Sequence, residues 1–149
     1  MTDISAREKY AALRKVDLLA RLSDAEIWEL VRAGRWVRVP ADTAVVREGE
    51  PGRSLFFLGS GAAKVTKGGK LLGELGEGAC FGEMAFIKAG EMPRSATVET
   101  LGEAVLAEFD AETLAETSVN CRLQLTTALL HAMVDRLAMA NERLARSPK

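Results

Sequence analysis

The 13 glycines of this 149-residue chain are gathered in its middle. Most lie between residues 52 and 90, while from about Asn120 to Arg146 there is neither glycine nor proline. Glycine in a helix interior costs roughly 0.5–1 kcal/mol relative to alanine, and it is the residue of choice where a turn needs positive φ. The distribution therefore divides the chain into a helical start, a turn-rich middle and a helical end.

The middle reads as short strands. Val37-Arg38-Val39 alternates and is closed by Pro40. Val45-Val46, Leu55-Phe56-Phe57-Leu58, Ala63-Lys64-Val65-Thr66, Leu71 to Leu75, Thr97 to Thr100 and Val105 to Phe109 follow, separated by Glu50-Pro51-Gly52 and Gly68-Gly69. Close spacing with glycine turns predicts an antiparallel sandwich or roll. At the start, Leu13, Val16, Leu18, Leu19 and Leu22 supply the apolar positions of a helical region with a break near Val16-Asp17. Ser23 with Glu26 three residues on is a capping box opening a second helix, with Ile27, Leu30 and Val31 on its apolar face and Gly34 as its stop. Asp110 to Leu114 begins a short helix. In the last one, Leu123, Thr126, Leu130, Met133, Leu137, Ala140 and Leu144 recur at alternating steps of three and four, the spacing of a coiled-coil seam. A second copy of the chain is the expected cover for that seam.

Composition removes several kinds of chemistry. His131 is the only histidine, so a metal site built on two or three imidazoles is not expected. Cys80 and Cys121 form no paired motif and read as small core residues in a reducing compartment. The formal net charge of −1 argues against a nucleic-acid surface. No apolar run approaches the roughly 20 residues of a membrane span, and the start of the chain lacks the pattern of a signal peptide. The expected location is the cytoplasm.

The segment Phe81-Gly82-Glu83-Met84-Ala85-Phe86-Ile87, followed after a loop by Pro93-Arg94-Ser95-Ala96-Thr97-Val98, carries the chemistry. Gly82 permits close backbone approach. A helical turn after it leaves free amides for an anion. Arg94 offers a fork of donors suited to phosphate, and the Glu83 carboxylate accepts from sugar hydroxyls. Together they describe a nucleotide pocket on a roll of strands.

These two motifs resemble the phosphate-binding cassette of the cyclic nucleotide-binding domain family, which includes regulatory subunits of cAMP-dependent kinase, the catabolite activator protein and cyclic-nucleotide-gated channels. Arg47 to Gly52, Ser54 to Leu58 and Gly76-Glu77-Gly78 extend the resemblance to roughly residues 17 to 115. It implies an α+β fold: an antiparallel β-roll, or jelly roll, of about eight strands flanked by N-terminal and C-terminal helices, the last one long. Three parts are expected. Residues 1–16 form an N-terminal helical segment, residues 17–117 the binding roll with its flanking helices, and residues 118–149 a lid or dimerisation helix and a frayed tail.

The resemblance also implies roles. Glu83 would take the ribose 2′-hydroxyl, with Gly82 and Met84 beside it. The Ala85 amide, Arg94, Ser95 and the Ala96 amide would take the phosphate. Asn141 matches a position that presents a hydroxyl to adenine in the catabolite activator protein, and Arg136 matches a basic residue of the same helix. Gly49 and Gly61 would be turn glycines. The ligand expected is cAMP, with cGMP as the alternative, and neither a catalytic residue, a metal nor a further cofactor is expected. Binding would reposition the C-terminal helix, in a homodimer that signals to a separate protein effector. The catabolite activator protein continues into a helix-turn-helix beyond this helix. The sequence shows no such output domain, so direct DNA binding is not expected. The competing readings are a ligand-free dimerisation or scaffold module of the same fold, a regulatory fragment of a larger effector, and a cupin-type enzyme, against which the single histidine counts.

Overall fold

Two capping boxes set the N-terminal helices of the computed structural model, which describes residues 4–146. The first three and last three residues, including the expected tail beyond Arg146, lie outside the described residues. Ser5 and Glu8 cap α1 (Ala6–Arg14), and Ser23 and Glu26 cap α2 (Asp24–Ala33). The break near Val16 is real: a 3-10 turn, Asp17–Leu19, joins the two helices. Their apolar faces put Leu13, Val16, Leu19, Ile27 and Leu30 almost wholly out of solvent.

Gly34 stops α2 by a different means than a left-handed cap. Its φ is −71°, and a Cβ there would stand 2.7 Å from Cζ of Phe109. The glycine is required because the chain turns into the sheet directly under that ring.

Eight strands follow, β1 (Arg35–Val39), β2 (Ala44–Val46), β3 (Leu55–Ser60), β4 (Ala63–Lys67), β5 (Lys70–Leu75), β6 (Cys80–Phe81), β7 (Thr97–Thr100) and β8 (Ala104–Phe109). All pairings are antiparallel, in two four-stranded sheets ordered β1-β8-β3-β6 and β2-β7-β4-β5. The strand period of two sorts the side chains of β3 and β8 to opposite faces. Phe56, Leu58, Ala104 and Leu106 join Val46, Phe81 and Val98 in one apolar cluster. Leu55, Phe57, Ala107 and Phe109 pack in a second cluster with the helices. Phe57 and Phe109 meet edge to face there, with ring centroids 5.7 Å apart.

Glycines turn the roll where expected: Gly49 and Gly61 have φ of 84° and 89°. Trp28 stacks on Tyr10 at 4.7 Å, and the Trp36 indole N–H donates to the Val31 carbonyl, so both tryptophans serve helix and sheet packing.

Asp110 caps α4 (Ala111–Leu114) by accepting from the Thr113 amide. The final helix, α5 (Val119–Arg146), is anchored at its start to α2. Glu29 accepts from both the backbone amide and the hydroxyl of Ser118, and buried Glu26 accepts from the Asn120 side chain. Cys121, Leu125 and Leu129 form the buried face of α5. The seam expected from sequence lies on another face: Leu123, Leu130, Leu137 and Leu144 are all exposed.

Candidate functional site

The chain enters the site from β6, a two-residue strand that pairs Phe81 with Phe56. Their rings stack with centroids 5.1 Å apart, which fixes the point where α3 (Glu83–Ile87) begins. Gly82 precedes it with φ 81° and ψ 7°, the left-handed region where an L side chain is strained. A Cβ at Gly82 would also stand 2.7 Å from the Ser54 carbonyl oxygen and 2.9 Å from Nη1 of Arg94. Glycine is thus needed for conformation and for space. The one helical turn expected from sequence is present, and its first amides have no partner within the turn by the geometry of any helix start.

Arg94 sits against this turn and is only 8% exposed. Its Nη1 donates to the Ser54 carbonyl at 2.9 Å, and its guanidinium carbon lies 5.7 Å from the centre of the Phe56 ring. Among the described residues, no carboxylate lies within ion-pair distance of it. Burial lowers its pKa from the ordinary value, and the negative charge of Glu108 opposes that shift. Gly52 closes the other side: a Cβ there would stand 2.4 Å from Nε of Arg94. Arg94 is therefore slotted between two glycines, over one aromatic face, with one backbone acceptor.

Glu83 is buried at the first position of α3, and the Arg136 guanidinium on α5 donates to its carboxylate. Arg94, Glu83 and Arg136 line one cavity of about 220 Å³, with Gly82, Met84, Ala85, Ser95 and Ala96. Val46, Val65, Leu75, Cys80, Phe81 and Val98 complete its wall. With Arg136 in place, the space is below the roughly 300–1,000 Å³ usual for small-molecule sites.

The cavity thus gathers Gly82, Glu83, Met84, Ala85, Arg94, Ser95, Ala96 and Arg136. Asn141 is exposed farther along α5 and is not part of this wall. His131 is exposed and lies in a separate groove between α5 and the 3-10 turn. Sequence reading did not pick out the apolar wall, Ser54 as the acceptor for Arg94, or Gly52 as its spacer. The strand alternation around Val46, Val65 and Val98 was the available signal for the wall.

Cys80 is half-buried, packed against the helix-side apolar cluster and also lining the cavity. Burial pushes its thiol pKa well up, Glu83 adds to the shift and Arg136 opposes it, so the thiol stays protonated. The fully buried Cys121 thiol is pushed up to about 11, chiefly by burial. Among the described residues there is no group of three or more His, Cys, Asp and Glu that could hold a metal ion, and no helix is long and apolar enough to cross a membrane.

Residues 36–118 match the family model of the cyclic nucleotide-binding domain. A cyclic nucleotide-gated potassium channel from Mesorhizobium japonicum is 48% identical over 83 residues, covering 56% of this chain and 22% of the channel. The regulatory subunit of cAMP-dependent protein kinase from Debaryomyces hansenii is 36% identical over 96 residues, covering 64% of this chain and 21% of that protein. The chain thus spans about a fifth of the length of either relative. A cyclic nucleotide-binding domain from Methylobacillus flagellatus has the same fold, with a TM-score of 0.76 at 24% identity over 97% of this chain and 85% of that one. The β-roll of eight strands, the glycine-started turn against Arg94 and the matched residues agree, and the chain belongs to the cyclic nucleotide-binding domain family.

Proposed function

We propose that the cavity binds a cyclic mononucleotide, with cAMP preferred over cGMP, and that the protein acts as a sensor without catalysis of its own. The observation that carries this reading is Arg94, a buried guanidinium with no carboxylate partner among the described residues, facing a glycine-started helical turn. A buried cation without a counter-ion is costly, and a bound phosphate relieves that cost with charge-assisted hydrogen bonds. Arg94, Ser95 and the Ala85 and Ala96 amides take the phosphate. Glu83 takes the ribose 2′-hydroxyl, with Gly82 and Met84 lining the sugar side. Ser95 is compatible with either purine, and similarity extends both to the cAMP-dependent kinase subunit and to a cGMP-dependent protein kinase from Caenorhabditis elegans, so the preference for cAMP is tested by titrating both nucleotides.

Arg136 couples the pocket to α5. It holds the same carboxylate that the ribose needs. A ligand must share Glu83 with it or displace it, and either event biases the position of α5. The shift would be a change in populations of two helix positions. Asn141 reaches a base only if α5 moves or a second copy supplies it. The exposed apolar stripe Leu123, Leu130, Leu137 and Leu144 supports a homodimer through α5, with a separate protein as effector and the cytoplasm as location.

One observation favours a second reading, a ligand-free dimerisation module or a regulatory piece of a larger effector: Glu83 already has a cationic partner. Calorimetric titration of cAMP and cGMP, with Arg94→Ala alongside, separates the two. Losing one member of a buried charge pair typically costs about 2–5 kcal/mol, or roughly thirtyfold or more in affinity. Tight binding that collapses in the variant supports the sensor. No binding by folded native protein leaves the scaffold.

A further inference from the structure

Glu108 occupies an inward position on β8. Ala104 and Leu106, on the same face of that strand, lie in the apolar cluster between the sheets. In register Leu106 stands opposite Leu58, and Glu108 stands opposite Phe56. A carboxylate at the end of such a stripe needs a reason, because charged residues rarely line apolar interiors unless paired. Its Oε2 accepts from the Ser54 hydroxyl at 2.6 Å, and the carbonyl of the same Ser54 accepts from Arg94 at 2.9 Å. The Phe56 ring opposite Glu108 is the one beneath the guanidinium. Glu108 therefore stands behind Arg94, joined to it through Ser54 and outside the cavity wall. Its charge favours the charged form of Arg94.

The charged side chains lining the cavity are Arg94, Arg136 and Glu83. Glu83 is matched by Arg136, while Arg94 has no carboxylate in contact and Glu108, behind Ser54, offsets part of its charge. We propose that Glu108 is a specificity-determining residue that tunes the phosphate site to a singly charged phosphodiester and against the doubly charged phosphomonoester of the same nucleoside. This rests on the cyclic nucleotide reading above. An isolated guanidinium binds a dianion more tightly than a monoanion, because attraction scales with the ligand's charge. A carboxylate fixed behind the guanidinium cuts that attraction in the same proportion, while the cost of stripping water from the ligand grows as the square of its charge, so the weakened site favours the monoanion. A terminal phosphate carries about −1.5 to −2 at neutral pH, whereas a phosphodiester carries a single charge. The site would thereby ignore the monophosphate left when a cyclic nucleotide is hydrolysed.

The test compares cAMP, 5′-AMP and the 5′-methyl phosphate ester of adenosine by calorimetric competition, on native protein and on Glu108→Gln. The ester and 5′-AMP are both open-chain and differ in charge. Glutamine still accepts from Ser54 but carries no charge. Native protein is expected to bind the ester more tightly than 5′-AMP. In Glu108→Gln that ratio is expected to fall by about three- to tenfold or to invert. A loss of packing alone would weaken both ligands equally and leave the ratio unchanged, which would overturn the proposal. So would tighter binding of 5′-AMP than of its ester by native protein, a result that needs no folded variant. Native protein that binds none of the three ligands would overturn the cyclic nucleotide reading as well.

Discussion

The Arg136 guanidinium on α5 donates to the Glu83 carboxylate at the start of α3, joining residues 53 positions apart. The Glu83 side chain is 9% exposed and that of Arg136 56%, so a buried acceptor meets a cation reaching in from the surface. Every described residue of α5 after Arg136 is exposed. This pair ties the helix to the roll beyond the buried Cys121–Leu129 segment.

Arg136→Ala is therefore expected to loosen the outer half of α5 in ligand-free protein. Amide hydrogen exchange should accelerate across residues 133–146 and stay at native rates in the Cys121–Leu129 segment, which packs through its own buried face. Equal exchange in native protein and variant would show that the pair holds nothing.

Gly52→Ala should weaken cyclic nucleotide binding by about tenfold or more while leaving the roll folded. The added methyl stands 2.4 Å from Nε of Arg94, so the guanidinium must leave its slot. Losing a hydrogen bond to a charged group costs about 1.5–3 kcal/mol. Calorimetry together with a thermal melt checks both halves, and native affinity in the variant would show that Arg94 has room to shift.

Leu130→Glu combined with Leu137→Glu is expected to lower the sedimentation mass from dimer to monomer. Both side chains are 62% exposed on one protomer, so charge there costs little within the chain. Across a helix pair, it would face apolar partners and its own like charge. A native protein that sediments as a monomer would remove the proposed dimer.

Asp110 gives a pH signature. Burial pushes its carboxyl pKa up, but the Thr113 amide and the Arg35 guanidinium, 3.0 Å away, outweigh burial and hold it below the ordinary 3.8. A carboxyl depressed in the folded state adds stability that is complete above 3.8 and is lost as pH falls through the lower folded value. Asp110→Asn keeps a capping oxygen and removes the charge. Chemical denaturation should find it less stable than native protein by about 0.5–1 kcal/mol at neutral pH. That difference should begin to shrink below pH 3.8 and vanish once pH is below the folded value, and one that persists there would assign the effect to geometry rather than charge.

Local order was legible because it is written in short-range spacing. Ser23 with Glu26 announces a helix start, the glycines at 49 and 61 announce turns, and Gly82-Glu83 followed by Arg94-Ser95 announces an anion site. Each of these depends on residues within one turn or one loop of one another. The two-residue strand β6 was not legible, since Cys80-Phe81 is too short to carry a period and is fixed by pairing with Phe57 and Phe56. The coiled-coil spacing of α5 was equally visible, but spacing alone did not say which face the roll would bury.

The sequence by itself determined the order of helix, roll and helix, the family, and most of the charged and glycine residues that line the candidate pocket. Tertiary structure alone decided what surrounds them: Arg136 on Glu83, Gly52 as the wall of the Arg94 slot, and Glu108 behind Ser54. These partners lie 40 to 54 residues apart where hydrogen bonds join them. No local pattern encodes such a meeting, because it exists only once two sheets have closed and the pleat has chosen which side chains point inward.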